Sequence, residues 1–187
     1  RSVVQRRLAE PSGKVRMTVS VAMLHFELAQ ALPTLIQRHP KLNVSVHATD
    51  NFVDVVKEGF DIAVRSHFSP LRDSGLQQRR LRVEPLILVA SPGYLADRPA
   101  LRTSADLAEH FGLPGGTSCT TWRLIDRRGN IVNVDPRARV TVDEAFANVN
   151  TAAAGLGVTI LPRSYCGREL ERGELVLTLA DLQQAGQ

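Results

Sequence analysis

The chain has 187 residues, of which 43% are hydrophobic and 22% are charged, and its 23 Lys and Arg residues outnumber its 19 Asp and Glu residues. This length suits one domain or two small, closely joined ones, and the composition is that of an ordinary soluble globular protein. Large multidomain enzymes, disordered chains, collagen and coiled-coil fibres are therefore excluded.

Neither a membrane span nor an export signal is predicted. The uncharged stretch 145–162 approaches the ~20 residues that a helix needs to cross a bilayer, but its Asn, Gly and Pro residues favour a helix, a turn and a strand. Residues 1–14 contain no apolar run of signal-peptide length. Cys119 and Cys166 are too few for a disulfide framework or a zinc site. We therefore expect a cytoplasmic protein that needs no metal or cofactor.

Strands and helices alternate in the first part of the chain. The strands are predicted from alternating apolar and polar residues, and the first helix from leucines that recur every three or four positions. The predicted elements are a strand at 15–21, a helix from Leu24 to Ile36, a strand at 42–48, a short helix from Asp50 or Asn51 to Gly59, and a strand at 60–64. This βαβαβ order predicts a parallel sheet, and small molecules usually bind at the carboxyl ends of such strands.

The remaining sequence predicts a second α/β block. Its elements are a strand at 86–90, a helix from Thr103 or Ser104 to His110, a hairpin at 122–134, a strand at 138–142, a helix from Asp143 to Ala154, a strand at 157–161, a helix at 163–171 and a strand at 174–179. Asp143 is predicted to cap its helix, and Gly155 to end it. Two such blocks, joined near 85–92, predict an α/β molecule of two lobes with a ligand-binding cleft between them.

Polar residues at the predicted strand ends suggest an anion site. Thr18 and Ser20 precede the start of a helix, where free N–H groups and the helix dipole favour a carboxylate. Arg65 ends the third strand at the same edge and could bind an acidic ligand through two parallel hydrogen bonds. Helix capping by Ser20 and a structural ion pair of Arg65 are the alternatives.

An enzyme is not supported. The chain lacks GxGxxG, GxxxxGK[ST] and GxSxG motifs, and its five histidines are dispersed. Ser118 and Cys119 lie in a Gly-rich stretch that favours a flexible loop, and Cys166 is expected to be a buried, inert thiol. The pI of about 9.6 is not matched by one large basic cluster, so solvated surfaces explain the arginines better than a nucleic-acid site.

Five stretches, taken in order, resemble the effector-binding domain of LysR-type transcriptional regulators. They are GKVRMTVSVAMLHFELAQALPTLIQRHPKLNVSV, VDVVKEGFDIAVR, DSGLQQRRL, LILVASPGYLADRPALRTSADLAEH and AAAGLGVTILP. The resemblance covers nearly the whole chain from Gly13 to Leu182. It implies the type 2 periplasmic-binding-protein fold, with two Rossmann-like lobes at 13–88 and 89–182, the end of a linker helix at 1–12, and a frayed end at 183–187.

The resemblance also implies a function and a set of site residues. A small effector, such as an anion or carboxylate, would bind between the lobes and control transcription through an N-terminal winged helix-turn-helix that this chain does not contain. The implied effector contacts are Thr18, Ser20, Val21, Thr49, Arg65, Ser66, His67 and Asp143. The family and the apolar helix 24–36 further imply a homodimer or tetramer.

Several departures from the family pattern leave the effector open. Ser20 replaces a common proline, and Asp143 and Glu144 replace a usual Asn-Asp pair. The family's return segment after the position of Leu182 is not in this sequence, so either the chain is truncated or the first lobe is finished differently. If it is truncated, we expect exposed apolar surface and a less stable first lobe. A transporter's solute-binding protein has the same fold, and an export signal upstream of Arg1 would favour it. An enzyme on a similar fold is a third alternative.

Overall fold

The computed structural model describes residues 10–67, 74–115, 121–126, 128–180 and 182–184. The chain divides into two units, and the division falls after His67. Within the described residues, no helix is both long and apolar enough to cross a membrane.

The first unit is built on a parallel sheet. Its strands are β1 (Gly13–Val19), β2 (Leu42–Ala48) and β3 (Ile62–Val64), and β1 lies between the other two. Val19 pairs with Ala48 on one side and with Val64 on the other, so the three strands end at the same level. The predicted parallel sheet is confirmed, with β1 beginning and ending two residues earlier than the alternation suggested.

A single long helix, α1, follows β1. It consists of three consecutive segments, Val21–Met23, the π-helical Leu24–Leu28, and Ala29–Arg38. Pro33 lies inside the last segment and cannot donate a backbone hydrogen bond to the preceding turn. The predicted helix is therefore present, and it begins three residues earlier than the leucine pattern.

The short helix predicted between β2 and β3 is wrong. Residues 55–59 form turns, in which the N–H groups of Glu58 and Phe60 donate to the carbonyls of Asp54 and Val55. The Asp54 and Glu58 side chains also bond to nearby backbone N–H groups, which gives this segment an alternative to helical hydrogen bonds.

The first unit buries few side chains. Met17, Thr18 and Val19 are its buried residues among those described, with Thr18 and Val19 at 0% exposure. Phe52 is 95% exposed and Val56 is 74% exposed. Large apolar side chains of this unit are therefore exposed in the structure.

The second unit contains most of the buried core. Its strands are β4 (Leu86–Ala90), β5 (Phe111–Gly112), β6 (Trp122–Ile125), β7 (Ile131–Val134), β8 (Arg137–Ala138), β9 (Thr159–Pro162), β10 (Val176–Thr178) and β11 (Gln183–Gln184). Its α-helices are α2 (Pro92–Ala96), α3 (Ala145–Ala153) and α4 (Gly167–Glu171), and 3₁₀ helices span Ser104–Glu109 and Arg163–Tyr165. Two of its sheets have three strands, with the orders β10-β4-β9 and β11-β6-β7, and neighbouring strands in both are antiparallel. Leu88, Leu107, Leu124 and Val158 lie in the main core cluster.

The predicted hairpin at 122–134 is confirmed. Strands β6 and β7 pair antiparallel, with Ile125 opposite Ile131. In the turn, the Asp126 carboxylate accepts hydrogen bonds from the N–H groups of Arg128 and Asn130, and Gly129 takes φ of 82°. The Asn130 side chain also donates to the Asp126 carboxylate. This side-chain bond is the largest cause that lowers the pKa of Asp126, and the backbone bonds act in the same direction.

The second unit begins and ends differently from the lobes inferred from sequence. The Glu84 carboxylate accepts a hydrogen bond from Ser164 N–H, and all of β4 pairs within this unit, so the segment before residue 89 belongs to it. At the other end, Gln183–Gln184 pairs with β6 and is not frayed. Residues 185–187, and most of the expected linker segment 1–12, lie outside the described part.

Candidate functional site

The candidate site is the edge of the first unit where the three parallel strands end. Ser20, Thr49 and Arg65 directly follow Val19, Ala48 and Val64, which are paired across the sheet. The Thr49 N–H also donates to the Val19 carbonyl over 2.9 Å, which ties the end of β2 to the end of β1. The fold thus brings together five of the predicted residues: Thr18, Ser20, Val21, Thr49 and Arg65.

Arg65 is held in place by Thr18. The Arg65 Nη2 atom donates to the Thr18 Oγ1 atom over 2.8 Å, and Nη1 donates to the Val64 carbonyl over 3.1 Å. Two hydrogen bonds fix the half-buried guanidinium, and its remaining N–H groups can still serve a ligand, because a guanidinium carries five donors. Burial lowers the pKa of Arg65, while the nearby Asp50 carboxylate acts in the opposite direction.

The start of α1 carries a carboxylate of the chain itself. The Val21 N–H donates to the Asp50 Oδ1 atom over 3.1 Å. Ser20 occupies the N-cap position, but its side chain makes no capping hydrogen bond. Helix capping therefore does not explain the presence of Ser20. Asp50 instead accepts the hydrogen bond from the first N–H of α1, and it was not among the site residues predicted from the sequence. Its position directly after Thr49, at the end of a parallel strand, was the signal that could have identified it.

Ser66 and His67 continue from Arg65 and are exposed at the end of the first unit. Asp143 belongs to the second unit and is also exposed. The structure does not make Asp143 the cap of its helix. The Glu144 side chain instead accepts hydrogen bonds from the N–H groups of Phe146 and Ala147, so the predicted capping role was assigned one residue too early.

Of the three nucleophiles considered from sequence, Cys166 is the one that lies in the described part of the chain. Cys166 is fully buried, and burial is the main cause that raises its pKa to about 12, so its thiol stays protonated near neutral pH. Ser118 and Cys119 lie outside the described residues. Among the residues that are described, no three His, Cys, Asp or Glu side chains are grouped to hold a metal ion.

Open depressions of about 600 and 120 Å³ lie in the second unit, the larger one beside Tyr94 and Gly155. None of the eight predicted effector contacts lines either of them. What distinguishes the strand-end edge is its hydrogen-bonding geometry and its charge. An oxyanion suits this edge better than an apolar ligand does. The edge offers the fixed Arg65 guanidinium, the Ser20 hydroxyl, which makes no capping hydrogen bond, and the first turn of α1.

Comparison with known proteins identifies relatives along almost the whole chain. The family model of the LysR substrate binding domain matches residues 8–186. HTH-type transcriptional regulator PtxR of Pseudomonas aeruginosa is 33% identical over 172 residues, which is 91% of this chain and 54% of PtxR. An uncharacterized HTH-type transcriptional regulator of Haemophilus influenzae is 32% identical over 158 residues, 84% of this chain and 54% of that protein. The chain thus spans about half the length of these curated relatives.

A solved structure agrees with the sequence relatives. The regulatory domain of CrgA, a LysR-type transcriptional regulator from Neisseria meningitidis, superposes with a TM-score of 0.78 at 25% identity, covering 95% of this chain and 85% of that one. The fold is therefore the type 2 periplasmic-binding-like fold of such regulatory domains. These relatives are regulators, so the solute-binding alternative gains no support. The chain belongs to the LysR substrate-binding domain family.

Proposed function

We propose that this chain is the effector-sensing part of a LysR-type transcriptional regulator, and that it binds a small carboxylate-bearing effector at the strand-end edge of its first unit. The observation that carries the proposal is the Arg65 guanidinium, fixed by Thr18 beside the start of α1. The domain acts by binding and not by catalysis. The whole protein works in the cytoplasm and binds promoter DNA through a helix-turn-helix outside this chain, as the regulator relatives suggest.

Each residue at the edge has a defined part. Arg65 binds the effector carboxylate through its remaining donors, and the Ser20 hydroxyl supplies a further hydrogen bond. The Val21 N–H supplies another where the effector displaces Asp50. Thr18 is a positioning residue, because its single hydroxyl accepts from Arg65. Thr49, Ser66 and His67 flank these groups, and the role of Asp143 stays a prediction from the family resemblance.

Asp50 sets a condition on binding. Its carboxylate already accepts from Val21 N–H, so an anionic effector must either displace it or bind against its charge. At a separation of 4 Å in water, two like charges repel by about 1 kcal/mol. Removing the charge in Asp50→Asn is therefore expected to tighten carboxylate binding about five-fold.

The regulatory response follows from differential affinity. An effector can shift a regulator between two arrangements only by binding one of them more tightly, and we propose that packing between subunits passes this shift to the DNA-binding domains. The α1 helix offers a face for homodimer or tetramer formation, because Leu35 and Ile36 are each 37% exposed. Light scattering that finds monomer alone at high concentration would contradict this part.

Calorimetry with a panel of small carboxylates tests the site. Arg65→Ala and Ser20→Ala should each weaken binding of whichever carboxylate binds, with the larger loss in Arg65→Ala. Lys57→Ala is the matched control, since it removes an exposed positive charge from the turn that precedes β3, at the other end of the sheet. Affinities that are unchanged in both site variants, or that fall equally in Lys57→Ala, would reject this site.

A further inference from the structure

Three arginines of the second unit meet on one aromatic ring. The guanidinium carbons of Arg98, Arg139 and Arg137 lie over the Phe111 ring at 5.0, 5.1 and 5.5 Å from its centroid. Since all three lie within 5.5 Å of the same point, any two are at most about 11 Å apart. A ring has only two faces, so at least two of the three guanidinium groups share one.

The platform that gathers these arginines is well fixed. The Phe111 N–H donates to the Tyr94 hydroxyl over 2.8 Å, and the Phe111 carbonyl accepts from Val158 N–H over 2.9 Å. Phe111 is also directly paired with Arg137 in the β5–β8 ladder, and Arg139 follows two residues later. Arg98 comes from the segment after α2 and lies over Tyr94 as well.

The positive charge of this cluster is not neutralised by the described carboxylates. Between described residues, the ion pairs within 4.0 Å involve Lys41, Arg82 and Arg172 instead. All three clustered arginines are exposed, so their donors can reach a ligand. Like charges gathered on one ring repel each other, and an anion that bridges them would remove that repulsion.

We infer that Arg98, Arg137 and Arg139 form a binding site for a small polyvalent oxyanion, a molecule with two or more phosphate or carboxylate groups. Planar guanidinium groups match both oxyanions through paired hydrogen bonds, and the short span of the cluster suits groups joined in one small molecule. A DNA duplex would need a longer stripe of basic residues. Here the acidic residues Asp97 and Asp135 lie close in sequence to the arginines and interrupt the positive charge. Phe111 and the three arginines belong to the second unit, whereas Arg65 and Thr18 belong to the first.

Calorimetry of the 187-residue chain with sodium pyrophosphate and with sodium citrate, at fixed ionic strength, tests the inference. We expect one equivalent of at least one probe to bind, and the tighter probe identifies the preferred group. Arg98→Gln, Arg137→Gln and Arg139→Gln should each weaken binding about ten-fold, because a charge-assisted hydrogen bond is lost. Arg168→Gln, which removes an exposed arginine of α4, should leave the affinity unchanged.

Phe111→Leu tests whether binding needs the arginines to be gathered on the ring or only needs their positive charge. This variant keeps every charge but removes the ring that gathers them, so binding should weaken several-fold while circular dichroism stays that of the parent. The inference is overturned if neither probe binds, if Arg168→Gln weakens binding as much as the cluster variants, or if Phe111→Leu has no effect. Binding of a DNA duplex without binding of either probe, or loss of binding in Arg65→Ala, would overturn it as well.

Discussion

Arg65 and Thr18 are 47 positions apart in sequence, and the guanidinium of one donates a 2.8 Å hydrogen bond to the hydroxyl of the other. Thr18 is 0% exposed, so water cannot readily replace either partner at that hydroxyl. The parallel pairing of β1 with β3 produces this contact, because it sets the end of one strand beside the end of the other.

Thr18→Val should uncouple this pair. The substitution keeps the side-chain volume and removes the acceptor, and a hydrogen bond of this kind contributes about 1 kcal/mol to the free energy of unfolding. A double-mutant cycle with Arg65→Gln, measured by urea unfolding, should therefore give a coupling energy of about 1 kcal/mol. The pair Thr18→Val and Lys57→Gln is the control and should be additive. Additivity of both pairs would show that the hydrogen bond contributes nothing.

Adjacent carboxylates at the start of α3 should differ sharply in their effect on stability. Glu144 accepts two backbone hydrogen bonds at 2.9 and 2.8 Å, whereas Asp143 is exposed. Glu144→Ala should lower the free energy of unfolding by about 1 kcal/mol, the usual cost of losing an N-cap. Asp143→Ala, the matched control, should change it by less than about 0.5 kcal/mol. Denaturant unfolding of both variants measures this difference, and the reverse order would contradict the assignment of the cap.

The parallel sheet and the edge at which its strands end were predictable, because both depend on patterns that the sequence displays directly. The alternation of apolar and polar residues in 42–48 predicted both ends of β2 correctly. The order of strands and helices predicted Ser20 and Arg65 at one edge of the sheet. The part played by Asp50 was not predictable in the same way. The sequence suggested Asp50 or Asn51 as the start of a short helix, but the sheet register brings Asp50 to the start of α1 instead.

The sequence also could not decide between local structures that suit the same residues almost equally well. Asp143 and Glu144 both suit an N-cap, and the backbone angles that decide between them depend on packing along the whole helix. The segment 52–58 has the composition of a short helix, yet its carboxylates bond to its own backbone and leave it as turns. The arginine cluster on Phe111 depends on the pairing of β5 with β8 and on the position of the segment after α2. No sequence motif predicts either of these.

Cys166 should be unreactive while the protein is folded. Its pKa is raised from 9.0 to about 12, mainly by burial, so almost no thiolate forms at pH 8. In a Cys119→Ser background, iodoacetamide at pH 8 should leave the native chain unlabelled and label it fully in guanidinium chloride. Because the folded thiol holds its proton more tightly than the unfolded one, its contribution to stability is present below pH 9.0 and is lost as pH rises towards about 12. Rapid labelling of the native chain would contradict this burial.

Gly157 should tolerate no larger residue, because it lies directly against the backbone of β5. A Cβ atom at this position would be 2.6 Å from the Phe111 carbonyl oxygen and 3.3 Å from Leu113 Cγ. The same carbonyl accepts from Val158 N–H, so moving it away would break that bond. Gly157→Ala should therefore lower the free energy of unfolding by about 2 kcal/mol or more, a cost typical of overpacking.

Gly167 at the start of α4 provides the matched comparison, since a Cβ atom there meets nothing within 4 Å. Gly167→Ala should raise the free energy of unfolding by about 0.5 kcal/mol, because alanine loses less backbone entropy than glycine on entering a helix. Thermal unfolding of both variants under one buffer condition measures the contrast. Equal stabilities would mean that β5 can move away from Gly157, and that the Phe111 platform is less fixed than its hydrogen bonds indicate.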